Sequence, residues 1–325
     1  MSYDALVIGG GLAGCSTATQ LARRGHSVLL AEQSTYPRHK LCGEFLSPEA
    51  QSSFRRLGVL EAAHDAGAAT IRQTRLTAPS GTATEHTLPN TALGLSRYQL
   101  DRPFLEQHTP YVGFKAHYAG SSAADVSDTI ELHSAPGGYC GLSPVEDDSI
   151  NVCWIGHTGA LTDAGGTPGA MLEDSLRRNP VLDERLRGLH RVSDRFEAVS
   201  QVPLMPKSRF AGGVCMIGDA AGMIAPLCGD GMAMALRTAD LVTPFASEYL
   251  DGRRSPSSFR TAYETTWTNT FGRRMRLGRW IHAAAFRPGA ARLLVQSCRV
   301  LPPLARWLIR STRGARPAPP KTSSS

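Results

Sequence analysis

Two carboxylates, Glu32 and Asp219, each close a short apolar run, and each belongs with a set of glycines. The first set follows Ala5-Leu6-Val7-Ile8 and comprises Gly9, Gly11 and Gly14, with Leu12 and Ala13 between them. The first glycine allows a tight turn, the second lets a pyrophosphate approach the backbone, and the third lets the next helix pack closely on the strand. The free N–H groups and positive dipole end of that helix suit phosphate. Glu32, followed by Gln33, ends the run Val28-Leu29-Leu30-Ala31, where a carboxylate accepts hydrogen bonds from an adenosine ribose. An acid at this point favours an unphosphorylated ribose, hence FAD or NAD over NADP. The second set follows Val214-Cys215-Met216-Ile217. It reads Gly218-Asp219-Ala220-Ala221-Gly222, then Pro226 and Gly229-Asp230-Gly231-Met232. A carboxylate at the C-terminal edge of a strand in an open α/β sheet can hydrogen-bond a polyol chain. Gly229 and Gly231 allow close backbone approach. A helix starting at Met232 points its positive end at the same place, where it would stabilise negative charge on a flavin ring.

Positioning these groups requires particular elements. The first site needs a buried strand, a glycine turn, a helix over Cys15 to Arg24 and a second buried strand. The second needs a short buried strand from Val214 to Asp219, a loop, and a long helix from Met232 to Leu250. Residues 33–43 read as a polar loop. Glu44 to Leu60 has helical spacing, with Ser47-Pro48-Glu49 as cap and first turn. Residues 70–78 and 83–88 alternate around Pro79-Ser80-Gly81 as a hairpin. A helix starts at Ser96 and runs to about His108. Strands follow over Tyr111 to Tyr118, Thr129 to Ser134, Gly138 to Leu142 and Ser149 to Ile155, with a turn at Glu146 to Ser149. Pro168 to Asn179 reads as a helix stopped by Asn179-Pro180, and Ala198 to Leu204 as a strand. There is no internal repeat.

Composition bounds the rest. A chain of 325 residues holds one large or two medium domains. No apolar run reaches the ~18 residues of a membrane span, and the first strand begins too early to leave room for a signal peptide. Seven cysteines are scattered without a C-x-x-C pair, which disfavours a zinc site and a disulfide framework and points to a reducing cytoplasm. The net charge of +7 is uneven. Residues 1–264 carry 23 Lys and Arg against all 28 Asp and Glu, whereas the last 61 residues carry twelve basic groups and no acidic one. Such asymmetry suits an anionic partner. Arg292, Arg299, Arg306 and Arg313 recur every seven residues, interleaved with Leu293, Val300, Leu304, Trp307 and Leu308, and Pro302-Pro303 divides the stretch into two short amphipathic helices. These helices either cap a neighbouring sheet with their arginines solvated, or lie on an anionic membrane surface. Nucleic acid is not expected, because no nucleic-acid-binding motif accompanies the charge.

Taken together, Gly9, Gly11, Gly14 and Glu32, then Arg38-x-Lys40-x-Cys42-Gly43, Ser96-Arg97 with Leu100-Asp101, and Gly218-Asp219 through Gly231 resemble the FAD-dependent para-hydroxybenzoate-hydroxylase-like superfamily. Within it the chain is most similar to the geranylgeranyl-reductase and halogenase-like branch, over most of residues 3–300. The Trp-x-Trp-x-Ile-Pro signature of tryptophan halogenases is absent. The resemblance implies an α/β (α+β overall) chain: a Rossmann-like FAD-binding βαβ domain, an antiparallel-sheet substrate domain and C-terminal helices. The FAD-binding part would comprise residues 1–69, 96–108 and 205–270, and the substrate domain 70–95 and 111–204. Basic helices would occupy 271–314, and a Pro- and Ser-rich disordered tail 315–325.

By the same resemblance Arg38 and Arg97 lie along the FAD, with Lys40 in the same loop. Asp219 binds its ribityl or pyrophosphate part, and Cys42 and Gly43 lie near the isoalloxazine. The electron donor would be NAD(P)H, visiting the flavin without a second Rossmann domain, since no second G-x-G-x-x-G exists. The substrate would be an apolar prenyl- or polyketide-like molecule, hydroxylated or reduced, and the location cytoplasmic with peripheral contact at the inner membrane surface. The chain departs from the family at Gln107-His108-Thr109-Pro110, which leads straight into Tyr111-Val112-Gly113-Phe114-Lys115. There the family carries further strands and a third FAD motif. The alternative reading is therefore a shortened, non-catalytic relative with weak or no FAD binding.

Overall fold

The computed structural model describes residues 2–33, 42–95, 111–121, 126, 128–174, 176–200 and 207–313. The first motif folds as the spacing requires. Strand β1 (Ala5–Ile8), helix α1 (Leu12–Ala22) and strand β2 (Val28–Ala31) form a parallel β–α–β unit with Ala5 opposite Val28 and Ile8 opposite Ala31. Gly9 has φ 102°, a value that favours glycine and makes the turn possible.

The expectation that both strands are buried is corrected. Among the described residues β1 pairs only with β2. Leu6 and Ile8 are 60% and 62% exposed on the face away from α1, with Leu29 beside them. A parallel sheet is normally covered on both faces, and here a helix covers only one.

The larger body is a nine-stranded sheet. Beyond β3 (Phe45–Leu46), β4 (Ala69–Thr77) and β5 (Ala83–Gly94), it contains β6 (Tyr111–Gly120), β7 (Thr129–Ala135), β8 (Gly138–Pro144) and β9 (Ile150–His157), with β10 (Leu189–Arg191) and β11 (Glu197–Ser200). Its order is β10-β6-β9-β8-β7-β4-β5-β3, with β11 also on the β6 edge, and only β4 and β7 run parallel. The expected hairpin is present, closed by Ala78 N–H donating to Thr82 O, and its second strand continues to Gly94.

The two sheet faces are filled differently. Val112, Phe114, Cys140, Leu142, Val152 and Trp154 pack against three short helices, α4 (Thr158–Asp163), α5 (Pro168–Asp174) and α6 (Pro180–Arg187). The helical stretch expected from Pro168 is α5 followed by a 3-10 turn at Leu176–Arg178, and it ends at Asn179 as the sequence suggested, but Asn179 also starts the next helix. Its side-chain oxygen caps α6 by accepting from Val181 and Leu182 N–H, with Pro180 at the first helical position.

The opposite face carries Tyr111, Lys115, Tyr139, Cys153 and Ile155 toward the nucleotide motifs and the long helices. Here α7 (Gly231–Leu250) and α8 (Pro256–Ala285) pack together. Ser255 caps α8, and Phe259, Tyr263, Trp267, Phe271 and Met275, each four residues apart, form its buried stripe. Helix α8 runs unbroken through residue 270.

Helices α2 (Pro48–Leu57) and α3 (Leu60–Asp65) replace the single helix expected over Glu44 to Leu60. Gly58 at φ 70° ends the first of them. Phe45 and Leu46 pair with β5 instead of starting that helix. The buried strand expected from Val214 to Asp219 shrinks to β13 (Val214–Cys215), paired only with β12 (Phe210–Ala211), and Val214 is 53% exposed. Among the described residues it has no parallel neighbour, and Cys215, Met216 and Ile217 are only half-buried, against the core of α7 and α8. The expected strand from Ala198 to Leu204 and helix from Ser96 to His108 fall wholly or partly outside the described residues.

The C-terminal stretch forms the two helices expected, α9 (Pro288–Val300) and α10 (Pro302–Thr312), with Pro302 and Pro303 starting the second. Both pack on β5, and α9 also on β4 and β7. Ala291, Val295, Cys298 and Ala305 face inward.

Candidate active site

Four pieces of chain meet where the sequence places a cofactor. Gly218, at φ 55°, lies so close to Ala13 that a Cβ would come within 2.9 Å of the alanine methyl, which puts the Asp219 turn against the start of α1. Gly229, at φ 64°, lies equally close to Phe45, which follows Cys42 and Gly43. Helix α1 is tied to α7 by Gln20 Nε2 donating to Asp240 Oδ1 at 3.0 Å. Asp240 also accepts from Ser53 and pairs with Arg56 of α2, so the three helices that carry the motifs hold one another in place.

Individual candidates fall as follows. Gly9, Ala13 and Gly14 are buried, Gly11 and Leu12 half-buried, and Gly10 N–H donates to Glu32 Oε2 at 2.8 Å, fixing the carboxylate beside the turn. Gln33 is exposed. Asp219 is exposed, and its carbonyl accepts from Lys207 Nζ at 2.9 Å. Pro226 is exposed, Gly218 and Met232 are buried, and Met232 packs with Leu46, Leu93 and Leu236. Cys42 is held by its carbonyl, which accepts from Asn151 Nδ2 at 2.8 Å, and its thiol accepts from Glu44 N–H. Arg38, Lys40 and Arg97 lie outside the described residues.

The glycines supply the test of whether FAD fits. A Cβ added at Gly43 or Gly231 meets no atom within 4 Å. Both positions therefore front open space, one beside the Cys42 loop and one at the N-terminus of the 20-residue helix α7. A flat ring system could approach the backbone there, with the helix end favouring negative charge on it. With Glu32 on the ribose side and the Gly9–Gly14 turn for the pyrophosphate, the residues present fit an FAD.

Two buried charge clusters support this region. Arg274 of α8 donates from Nη1 to Glu49 Oε2 (2.8 Å) and Asp230 Oδ2 (3.0 Å), and from Nη2 to Glu49 Oε1 (3.2 Å). Ser47 Oγ donates to Asp230 Oδ1 at 2.7 Å. This locks the Gly229–Gly231 loop to β3, α2 and α8. Burial and the neighbouring Glu49 charge outweigh Arg274 and push the Asp230 carboxyl up to about 7. In the second cluster Glu44, at φ 53° and fully buried, is paired with Lys115 Nζ and lies 2.6 Å from His117 Nε2. Burial works to raise its carboxyl, but Lys115 and His117 together hold it below the usual range.

Sequence reasoning missed Glu44, Glu49, Lys115, His117 and Arg274. Their partners lie 44 to 225 residues away, so no local spacing announces them. The one available signal was Lys115 and His117, two residues apart on the same side of an apolar strand.

Residues 4–117 match the family description "FAD dependent oxidoreductase". Among curated proteins, menaquinone reductase of Mycobacterium tuberculosis is 41% identical over 58 residues, covering 18% of this chain and 14% of that protein. Squalene monooxygenase of Eremothecium gossypii is 38% identical over 60 residues, 18% of this chain and 12% of that protein. These matches thus span under a fifth of either partner. Among solved structures, the flavin-dependent brominase Bmp2 superposes with a TM-score of 0.75 at 15% identity, over 95% of this chain and 93% of that one. The myxobacterial chondrochloren halogenase CndH gives 0.71 at 18% identity, over 96% and 90%. PqsL of Pseudomonas aeruginosa, in complex with 2-aminobenzoylacetate, gives 0.70 at 14% identity, over 89% and 98%. The chain therefore has the fold of these flavin-dependent halogenases and monooxygenases, and its residues 4–117 match the FAD-dependent oxidoreductase family.

Proposed function

We propose that this protein is an FAD-dependent oxidoreductase acting on an apolar small molecule of prenyl or polyketide type, with NAD(P)H as a transient electron donor. The observation that carries the reading is that the start of α1, the Cys42–Gly43 loop and the start of α7 come together through Leu12, Cys42 and Met232 in one cluster, with the Cβ positions of Gly43 and Gly231 unobstructed and Glu32 held at the Gly9–Gly14 turn. FAD, when bound, supplies the redox chemistry. The chain's own residues position it. Glu32 accepts from the ribose, the α1 N-terminus faces the pyrophosphate, and Gly43 and Gly231 leave room for the ring. Asp219 and, through the resemblance, Arg38, Lys40 and Arg97 complete the contacts. Purified protein is expected to show flavin absorbance near 450 nm or to acquire it with added FAD. Glu32→Ala is expected to cost roughly 1.5–3 kcal/mol of that binding, as loss of a charged acceptor does. A wild-type chain that stays colourless and gains no thermal stability from FAD would support the non-catalytic reading, which the exposed Leu6 and Ile8 face favours.

A peripheral membrane contact is part of the same proposal. Among the described residues no helix is long and apolar enough to cross a membrane. Helices α9 and α10 both turn their inner faces to the sheet, so their outer faces share one side of the molecule. That side carries exposed Arg292, Arg299 and Arg306 with Leu293, Val300 (76% exposed) and Trp307 (47% exposed), a mixture suited to the boundary of an anionic bilayer. Arg292, Arg299 and Arg306 changed together to Gln are expected to weaken binding to phosphatidylserine-containing vesicles by about 1 kcal/mol per charge at low salt. Co-sedimentation that is equal for both forms, or indifferent to salt, would leave these helices only their capping role.

A further inference from the structure

One buried charge sits on a strained backbone. Three described residues other than glycine have positive φ, and two of them, Asp147 and Asp148, are exposed in the turn between β8 and β9. Aspartate tolerates that conformation, and tight hairpin turns use it. The third is Glu44, at φ 53° and fully buried. Its neighbour Gly43, the residue type suited to positive φ, does not adopt it. A residue such as glutamate is disfavoured in this region by a factor of roughly 5 to 150, and stays there only where its surroundings hold it. A buried carboxylate is also unfavourable unless it is paired.

The surroundings hold Glu44 by its side chain and on both sides along the chain. Lys115 and His117, two apart on one face of β6, grip the carboxylate. The Lys115 ammonium pairs with Oε1, and His117 Nε2 lies 2.6 Å from Oε2. The Glu44 carbonyl accepts from Leu95 N–H at 3.1 Å, and its N–H donates to Cys42 Sγ at 3.3 Å. The Cys42 carbonyl accepts from Asn151 Nδ2 of β9, and Phe45 pairs with Gly94 of β5. Cys42, Glu44 and Phe45 are thus tied to β9, β6 and β5. Gly43 between them is exposed, makes no hydrogen bond among the described residues, and has nothing within 4 Å of a Cβ built on it.

Packing alone requires none of this. Apolar residues at 44 and 115 would fill the same volume without desolvating two charges, and glycine at 44 would make the same bend without strain. The ion pair does what these would not: it fixes the direction of the one unbonded residue beside it. Backbone strain that the surroundings over-determine collects at ligand-binding sites. We propose that Glu44 is a positioning residue: the grip of Lys115 and His117 on its carboxylate holds the Cys42–Glu44 backbone in a left-handed bend that presents Gly43 to the cofactor ring. The inference rests on the flavin reading for the identity of that ring, whereas the bend itself forms without it.

The test compares two double variants of the full chain, Glu44→Gln with Lys115→Met and Glu44→Gly with Lys115→Met. Both remove the ion pair whole, so neither leaves Glu44 or Lys115 as an unpaired buried charge. The readouts are thermal melts, exchange of the Leu95 amide in FAD-free protein, and FAD affinity by calorimetry. Glutamine at 44 leaves the left-handed region once the lysine no longer holds it. That variant is expected to exchange the Leu95 amide faster than wild type and to bind FAD roughly tenfold more weakly. Glycine accepts positive φ without strain, so the second variant is expected to return to within about threefold of wild-type affinity, although it leaves the larger void and melts lower. A role in packing alone predicts the opposite order, since glutamine fills the site better. His117→Gln, at a half-buried position, is the milder variant if either double variant fails to fold. It removes one of the two grips and is expected to weaken FAD about threefold, half of the tenfold loss on a free-energy scale, and to speed Leu95 exchange. Wild-type affinity and exchange in the glutamine variant, glycine binding no better than glutamine, or His117→Gln unchanged in both would each overturn the positioning role while leaving the flavin reading intact. Wild-type protein that takes up no FAD removes that reading, and with it the ring that Gly43 is held for.

Discussion

Arg274→Met is expected to cost about 3–5 kcal/mol of folding stability, because it leaves two buried carboxylates without their shared hydrogen-bonded partner. Domains of this kind are stable by only about 5–15 kcal/mol, so the variant should melt far below wild type and lose flavin with it. The consequence reaches the cofactor site because Asp230 sits between Gly229 and Gly231, and Glu49 opens α2 just after β3. Differential scanning calorimetry reads the loss, and wild-type stability in the variant would show that solvent already reaches the cluster. Asp230 also sets a pH dependence. Its folded-state carboxyl is raised to about 7 from an ordinary 3.8, by burial first and Glu49 second. Between these values the folded chain holds a proton that the unfolded chain releases. This contribution is therefore present in full below pH 3.8, declines as pH rises, and is gone above about 7. Asp230→Asn, which keeps an acceptor for Arg274 and carries no charge, should flatten that part of the stability profile. Combined with Arg274→Met it should recover part of the lost stability, since one uncompensated charge goes with it.

The contrast between the two nucleotide motifs and these clusters shows what the sequence could reveal. Gly9, Gly14 and Glu32 were legible because their relationship is local: turn, helix start and next strand end lie within 32 residues, and the Gly10–Glu32 hydrogen bond completes it. The alternation in residues 70–88 and 111–155 likewise gave most strands of the large sheet, since period-two patterning needs no distant information. The burial of β1 and β2 was misjudged for a physical reason. An apolar run signals what a strand would prefer to touch, not whether a neighbour is there, and Leu6 and Ile8 have none among the described residues. The same reason shortened the strand at Val214. Asn179-Pro180 was read as a stop, although the pair serves equally well as cap and first turn. Arg313, whose Nε and Nη1 are buried and whose guanidinium sits over Phe45, could not be separated from the exposed Arg292, Arg299 and Arg306 by spacing.

Gly14→Ala and Gly231→Ala should separate packing from cofactor contact, and the first carries the larger effect. A Cβ on Gly14 would fall far inside van der Waals contact of the Gly9 carbonyl oxygen, while Val7 lies at an ordinary contact distance. The clash is with backbone, so relief requires the turn itself to move. Overpacking of this sort costs about 1–3 kcal/mol, and the displaced turn no longer presents its N–H groups to a pyrophosphate. FAD affinity is expected to fall about 100-fold or more, together with a lower melting temperature of the cofactor-free protein. Gly231→Ala meets no atom within 4 Å and lies at the start of α7. Alanine is the better helix former by about 1 kcal/mol, so the cofactor-free protein should melt no lower and even slightly higher. Its added methyl would nevertheless stand in the open space assigned to the flavin ring, and FAD affinity should fall. Isothermal titration with FAD alongside thermal melts of the cofactor-free forms distinguishes the two. If Gly231→Ala binds FAD as tightly as wild type, the flavin ring does not lie against this loop, and the open space beside Gly43 and Gly231 belongs to something else.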